Sequence, residues 1–302
     1  MEFALGGAAA MCAGCFTNPL EVLKIRMQLQ GELQAKGKHV VHYRNVLHAG
    51  YVVATNEGVL ALQKGLVPAL WVQLILNGVR LGTFQFCDNR GYIRDKDGNI
   101  VFAQSALCTG LGGVLGQFFS SPLFLVKTQL QSQATKTIAV GHQHAHTGLW
   151  DALTRIYKGH GVRRGLFRGA SASIPRAFFG SISQLISFEY AKQYLYKYDY
   201  FKDKRLLTSF LGAMVGGLAV SITMTPFDLI LTRLYNQPTD EKGKGKLYKG
   251  YIDCVVKIYR RERLPAFYKG FGPMYLRLGP HSILCLVFWD QFKALENKYF
   301  HK

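Results

Sequence analysis

Three prolines, Pro19, Pro122 and Pro226, divide the chain at nearly equal intervals of 103 and 104 residues. Each stands near the end of a long uncharged segment, namely residues 3–20, 100–126 and 206–227. A period of this length indicates a repeated structural unit, and apolar segments of this length can cross or nearly cross a bilayer as helices. The chain is therefore predicted to contain three copies of one membrane unit, covering residues 1–98, 99–202 and 203–302.

A second mark recurs in each copy, about 45 residues after the proline: Lys64-Gly65, Arg168-Gly169 and Lys269-Gly270. A further apolar segment follows each mark, so every copy supplies two membrane helices joined by a link with a short polar helix. We predict an all-α membrane protein whose six transmembrane helices form three repeats around a central cavity. The predicted spans are 3–30, 64–92, 101–132, 167–197, 205–236 and 269–298.

Charge indicates what such a cavity binds. Lys and Arg total 37 against 18 Asp and Glu, and the second apolar segments contain Arg80, Arg176 and Arg277. Arginines inside membrane segments face a polar interior, and no acidic residue is expected at their depth, so the cavity is predicted to bind a small anion through these guanidinium groups. Gln73 and Asn77 either line this cavity or satisfy helix contacts; the sequence leaves both open.

Other classes of function have less support. The chain shows no nucleophile–base set, no phosphate-binding loop and no metal-ligand spacing, so we predict neither an enzyme nor a cofactor or metal site. The three histidines His142, His144 and His146 are interpreted as part of a solvated loop. Nucleic-acid binding requires basic residues on a soluble face, whereas the informative arginines lie in apolar segments.

The strings Pro19-x-Glu21-x-x-Lys24, Pro122-x-Phe124-x-x-Lys127 and Pro226-x-Asp228-x-x-Leu231, together with the basic-glycine marks, resemble the mitochondrial carrier family over essentially the whole chain. The resemblance implies a pseudo-threefold bundle that opens alternately to each side of the mitochondrial inner membrane. It also implies a monomer with both termini on the intermembrane-space side, and cardiolipin as a lipid partner.

The resemblance assigns a gate on the matrix side, where prolines 19, 122 and 226 kink the helices. Carried over from the family, Glu21 pairs with Lys127 and Asp228 pairs with Lys24. The third link joins Phe124 to Leu231, both apolar. Below these links stand the residues that match the family's glutamine position: Gln28, Gln131 and Tyr235.

At the opposite end the family carries an aromatic-acid-x-x-base pattern, matched here by Glu189 with Lys192 and by Asp290 with Lys293. The first repeat lacks a clear match, so this cytoplasmic gate is predicted to be incomplete.

Within the family, the strings Arg80-Leu81-Gly82 and Arg277-Leu278-Gly279-Pro280-His281 resemble the branch that includes oxaloacetate carriers. This similarity predicts an antiporter of oxaloacetate, other dicarboxylates and sulfate. Two alternatives remain: an uncoupling-type or proton-coupled anion carrier, and a membrane receptor that transports nothing. His281 either moves a proton with the anion or serves as a structural hydrogen-bonding group.

Overall fold

The computed structural model describes residues 2–34, 42–95, 101–198 and 205–300. Each repeat contains a long helix, a short helix and a second long helix, in that order. The long helices are α1 (Glu2–Leu29), α3 (Leu66–Asn89), α4 (Phe102–Ser132), α6 (Ser173–Leu195), α7 (Arg205–Asn236) and α9 (Phe271–Phe300). The short helices are α2 (Val46–Glu57), α5 (Leu149–Gly161) and α8 (Tyr251–Glu262). The predicted spans agree with the long helices to within a few residues, except that α6 begins six residues later.

The six long helices pack as a closed ring in chain order, since α1 contacts α3, α3 contacts α4, and so on until α9 returns to α1. At one end of the ring the first helices of the three repeats, α1, α4 and α7, also contact one another. The short helices pack at this same end. We call it the gate end.

Within the part of the chain that the structure describes, three segments are long and apolar enough to cross a membrane by composition alone: Val59–Asn89, Ala103–Ser132 and Phe210–Asn236. The first of them combines α3 with the short 3-10 turn Val59–Gln63 that precedes it. Pro19, Pro122 and Pro226 each lie inside a long helix that continues on both sides of the proline.

Glycines in α4 allow the close packing of α3 against α4. A Cβ atom built on Gly116 would lie 2.9 Å from the backbone oxygen of Leu76, and one on Gly112 would lie 3.1 Å from that of Arg80. Small residues permit such close approach of helices within a membrane. Gly112 and Gly116 therefore keep α3, the helix that carries Arg80, closely packed against α4.

Candidate substrate site and gate

Two ion pairs join the first helices of the repeats, α1, α4 and α7, at the gate end. Both match the pairs predicted from the sequence. Lys127 Nζ lies 2.5 Å from Glu21 Oε2, which links α4 to α1. Lys24 Nζ lies 2.5 Å from Asp228 Oδ2, which links α1 to α7. All four side chains are less than 10% exposed, so separating either pair inside the protein would leave costly unpaired charges.

The third link, between α4 and α7, is apolar. Phe124 and Leu231 belong to one buried hydrophobic cluster with Tyr235, whose ring centroid lies 6.3 Å from that of Phe124. Phe124 has a second role that its sequence position did not indicate. Lys127 Nζ and the Arg176 guanidinium carbon lie 4.9 and 5.0 Å from its ring centroid, which is within the range of cation–π attraction.

The prediction that the cavity arginines have no acidic neighbour is wrong for Arg176 and Arg277. Arg176 Nε donates to Asp228 Oδ1 at 2.5 Å, and Arg277 Nη1 donates to Glu21 Oε1. The sequence argument gave each gate carboxylate a single lysine, but a carboxylate has two oxygens and accepts from two cations. Each gate acid therefore bridges one lysine of the gate and one arginine of the cavity.

This sharing leaves the connected site positively charged. Lys24, Lys127, Arg176 and Arg277 surround only two carboxylates, so two positive charges remain uncompensated within the network. Arg176 and Arg277 are the more accessible members, at 15% and 19% side-chain exposure. Arg176 also donates to Gln117 Oε1 at 2.9 Å, so the α4 side chain Gln117, which the sequence argument missed, positions it.

The structure places the other predicted cavity residues on α3. Arg80 Nη2 donates to Asn77 Oδ1 at 3.3 Å, and Asn77 Nδ2 donates to Gln73 Oε1 at the same distance. These contacts form a chain along one face of the helix. Asn77 and Gln73 thus support the arginine, which agrees with both alternatives left open by the sequence.

His281 forms contacts that favour its structural alternative. Its Nδ1 lies 3.1 Å from the hydroxyl oxygen of Thr17 on α1, and its Nε2 lies 3.6 Å from Cys285 Sγ. The imidazole therefore ties α9 to α1 beside Arg277.

The residues predicted below the gate form a second set of links between α1, α4 and α7. Gln131 Nε2 donates to Asn18 Oδ1 at 2.9 Å, and Tyr235 Oη lies 3.0 Å from Ser121 Oγ. Gln28 Oε1 accepts from Thr232 Oγ1 at 2.8 Å. Each pair among α1, α4 and α7 is therefore joined twice, once at the gate and once below it.

The glycine of each basic-glycine mark packs against one of these residues. Gly65 has φ +67°, and a Cβ atom there would lie 2.7 Å from Gln131 Cγ and 3.2 Å from the backbone oxygen of Lys127. Gly270 has φ +85° and meets Gln28 in the same way. The glycines thus let the segment before the second long helix of each repeat (α3, α6 or α9) approach the gate.

Replacement of Gly65 by alanine is expected to destabilise the protein by about 1–3 kcal/mol, because left-handed backbone strain and steric overlap add together. Thermal unfolding of the detergent-purified protein measures the effect. Gly78→Ala is the matched control: this residue is in the middle of α3, and a Cβ atom there meets nothing within 4 Å. Equal stability of the two variants would contradict the packing role of Gly65.

A further set of charged residues surrounds the gate, and the sequence argument missed it. In the first repeat, Arg26 donates two hydrogen bonds to Glu57, at 2.7 and 3.0 Å, and Lys64 donates a third at 2.7 Å. The third repeat has the same arrangement in Arg233, Glu262 and Lys269. We call these two sets the ionic triads. The sequence does contain a signal for these triads, because an arginine stands seven positions after the proline in both repeats.

Each ionic triad also anchors the following repeat. Arg26 and Lys64 donate to the backbone oxygen of Gln133, and Lys269 donates to that of Gln30. Burial alone would raise the pKa of Glu57, but hydrogen bonds from Arg26 and Lys64 outweigh it and hold this pKa below its usual value. The carboxylate is therefore ionised at neutral pH and keeps both cations in place.

The predicted cytoplasmic gate lies at the opposite end. The side chains of Glu189 and Lys192 are outside the described residues. Asp290 and Lys293 are exposed on α9. In the first repeat, Asp88 pairs with Arg94 at 2.6 Å, so this acid is engaged with the link to α4.

The prediction of a solvated histidine loop is wrong in part. His144 Nε2 donates to the backbone oxygen of Asn236 at 3.0 Å, and His146 Nε2 lies 3.0 Å from Gln129 Oε1. Burial lowers the pKa of His144 to about 3. Only His142 is exposed, because the loop folds back against α4 and the end of α7. Within the described ranges no group of three His, Cys, Asp or Glu is arranged to hold a metal ion.

A closed ring of six long helices in three repeats, sealed at one end by buried ion pairs, defines a membrane carrier. The mitochondrial carrier protein family matches the chain three times, at residues 1–92, 98–199 and 202–300, and the chain belongs to this family. It is 48% identical to mouse solute carrier family 25 member 35, over 99% of both chains.

Two further relatives have names that include a substrate. The mitochondrial oxaloacetate transport protein of Saccharomyces cerevisiae is 43% identical over 97% of this chain and 89% of its own length. The mitochondrial citrate transporter E of Aspergillus niger is 37% identical over 98% of this chain and 95% of its own length. Both names refer to small carboxylate anions.

Proposed function

We propose that this protein is a carrier of the mitochondrial inner membrane that exchanges small dicarboxylates, including oxaloacetate, by alternating access. The charge imbalance of the shared network is the observation that supports this proposal. Four cations surround two carboxylates, and a dicarboxylate supplies the two missing negative charges. The oxaloacetate carrier of yeast, at 43% identity, is consistent with this substrate class.

The sharing of carboxylates suggests how binding and opening are coupled. In the closed gate, Asp228 holds both Lys24 and Arg176, and opening without substrate would leave these charges buried and unpaired. A bound dicarboxylate takes over Arg176 and Arg277, whose guanidinium groups match carboxylate geometry. Its negative charge also repels the two gate acids. Substrate thus lowers the free energy of the opened state relative to the closed one, which is the condition for coupling.

Exchange by the purified protein in liposomes tests the substrate class. We expect rapid uptake of labelled oxaloacetate, malate or malonate into liposomes loaded with a dicarboxylate, and slow uptake into empty ones. Citrate and sulfate in the same panel test how far specificity extends, since Arg80 adds a third cation on α3. Neutral and cationic solutes of similar size are the controls.

Uptake that needs no internal anion and follows an imposed proton gradient would instead support the proton-coupled alternative. Absence of exchange for every anion, from protein whose thermal unfolding is cooperative, would contradict the proposal.

A further inference from the structure

A cavity of about 160 Å³ opens in the second repeat at the gate end, between α4, α5 and the segment before α6. Its polar lining includes Gln129, His144, His146, His160, Arg164 and Arg168. Arg155 also reaches the cavity and is paired with Asp151. No aspartate or glutamate is among the described residues that line it. The cavity is therefore basic, and its volume is sufficient for several water molecules or one small anion.

This cavity occupies the place where the other two repeats hold their ionic triads. Backbone geometry supports the correspondence. Glu57 is followed by Gly58 with φ +85°, Glu262 by Arg263 with φ +70°, and His160 by Gly161 with φ +70°. His160 thus stands where the other repeats have a glutamate. Seven positions after the proline, Gln129 stands where they have an arginine.

Arg168 is the cation that remains. Like Lys64 and Lys269, it precedes the motif glycine, and its Nη2 donates to the backbone oxygen of Tyr235 in the next repeat at 3.0 Å. Lys64 and Lys269 each pair with a glutamate, but the second repeat has His160 at that position. The buried Nε of Arg168 has no hydrogen-bond partner in the described structure. His146 Nδ1 is also buried and unpartnered; because Nε2 of this ring donates to Gln129 Oε1, Nδ1 is an acceptor and fits the hydroxyl group of a protonated phosphate. Buried polar atoms of this kind require a partner such as an ordered water, an ion or a ligand, and the surrounding guanidinium groups favour an anion.

We propose that this cavity is a binding site for a small oxyanion, such as inorganic phosphate, which replaces the missing carboxylate between Arg168 and the histidines. Arg164, exposed at the mouth, supplies a second guanidinium. The oxyanion is not transported. It secures Arg168, which holds Tyr235, so its binding stabilises the closed gate.

Thermal unfolding of the full-length protein in detergent tests the site, with phosphate compared against chloride at equal ionic strength. Phosphate at ten times its Kd is expected to raise the unfolding midpoint by about 2–3 °C. His160→Glu supplies the carboxylate that the other repeats have. This variant should unfold at a higher temperature than wild type in chloride and should lose the response to phosphate. His160→Gln, the neutral control, should keep the response.

Two further variants separate this site from the proposed transport site. Arg277→Gln should lose stabilisation by dicarboxylate but keep stabilisation by phosphate. Arg164→Gln, an exposed change that leaves the fold intact, should weaken the apparent affinity for phosphate several-fold. An unchanged response to phosphate in both His160→Glu and Arg164→Gln, or its loss in Arg277→Gln, would overturn the proposal.

The oxyanion has two possible sources, free phosphate or a lipid headgroup. Repeating the measurement in nanodiscs of neutral phosphatidylcholine, with and without phosphatidylglycerol, distinguishes them. A response to free phosphate in neutral nanodiscs assigns the site to the soluble anion. Stabilisation by phosphatidylglycerol alone, when it is lost in His160→Glu, assigns it to the headgroup.

Discussion

Replacement of Arg176 by glutamine is expected to reduce dicarboxylate exchange by about 10- to 100-fold, which corresponds to the loss of a hydrogen-bonded charge worth about 1.5–3 kcal/mol. The guanidinium of Arg176 lies between Asp228 and Gln117 and is partly exposed. In the wild type, a substrate carboxylate that replaces Asp228 as the partner of Arg176 meets the positive guanidinium group. In the variant it meets a neutral amide. Initial rates in liposomes measure the effect.

Two comparisons make this result specific. Arg176→Lys keeps the charge but not the two-pronged geometry, so its exchange rate should fall between those of the wild type and Arg176→Gln. Arg261→Gln removes a charge from the exposed face of α8 and should leave exchange unchanged. Wild-type exchange by Arg176→Gln would show that substrate is held elsewhere.

Replacement of Asp228 by asparagine is expected to reduce the stability of the closed state by about 3–5 kcal/mol, since it leaves two buried cations without their carboxylate. Lys24 and Arg176 both depend on this residue, with contacts of 2.5 Å each. The variant also carries one more uncompensated positive charge. A dicarboxylate should therefore raise the unfolding midpoint of Asp228→Asn more than that of the wild type.

The matched control is Asp253→Asn. Asp253 pairs with Lys257 one turn away on α8, and both side chains are about one-third exposed. Solvent screens surface pairs of this kind, so they contribute little to stability, and this variant should unfold near the wild-type midpoint with an unchanged response to substrate. A lower stabilisation of Asp228→Asn by dicarboxylate would contradict the charge argument for the site.

The fold was predictable because proline period, apolar length and the basic-glycine marks all repeat in the sequence. The pairs Glu21–Lys127 and Asp228–Lys24 could be named in advance, since the family resemblance fixes which helices meet. The sharing of those acids by Arg176 and Arg277 could not. It depends on the reach of two arginines from neighbouring helices, which have no fixed spacing from the acids along the chain.

The cavity in the second repeat shows a different limit. Gln129 and His160 carry no signal of their own in the sequence as long as the ionic triads of the other repeats are unknown. Once Arg26, Glu57 and their counterparts are seen together, the same two positions become informative, because they break a pattern. The three-dimensional comparison of repeats shows which contacts a substitution of this kind removes.

At the gate end, the side chains of the ionic triads and the matching side chains of the second repeat donate hydrogen bonds to the backbone of the neighbouring repeat, and these bonds all run in one direction around the ring. Arg26 and Lys64 hold the second repeat, Gln129 and Arg168 hold the third, and Arg233 and Lys269 hold the first. Such a head-to-tail arrangement closes on itself after three steps. No repeat can then move away without breaking its links to both neighbours, so we expect the three links of the proposed gate to break together, as one cooperative unit.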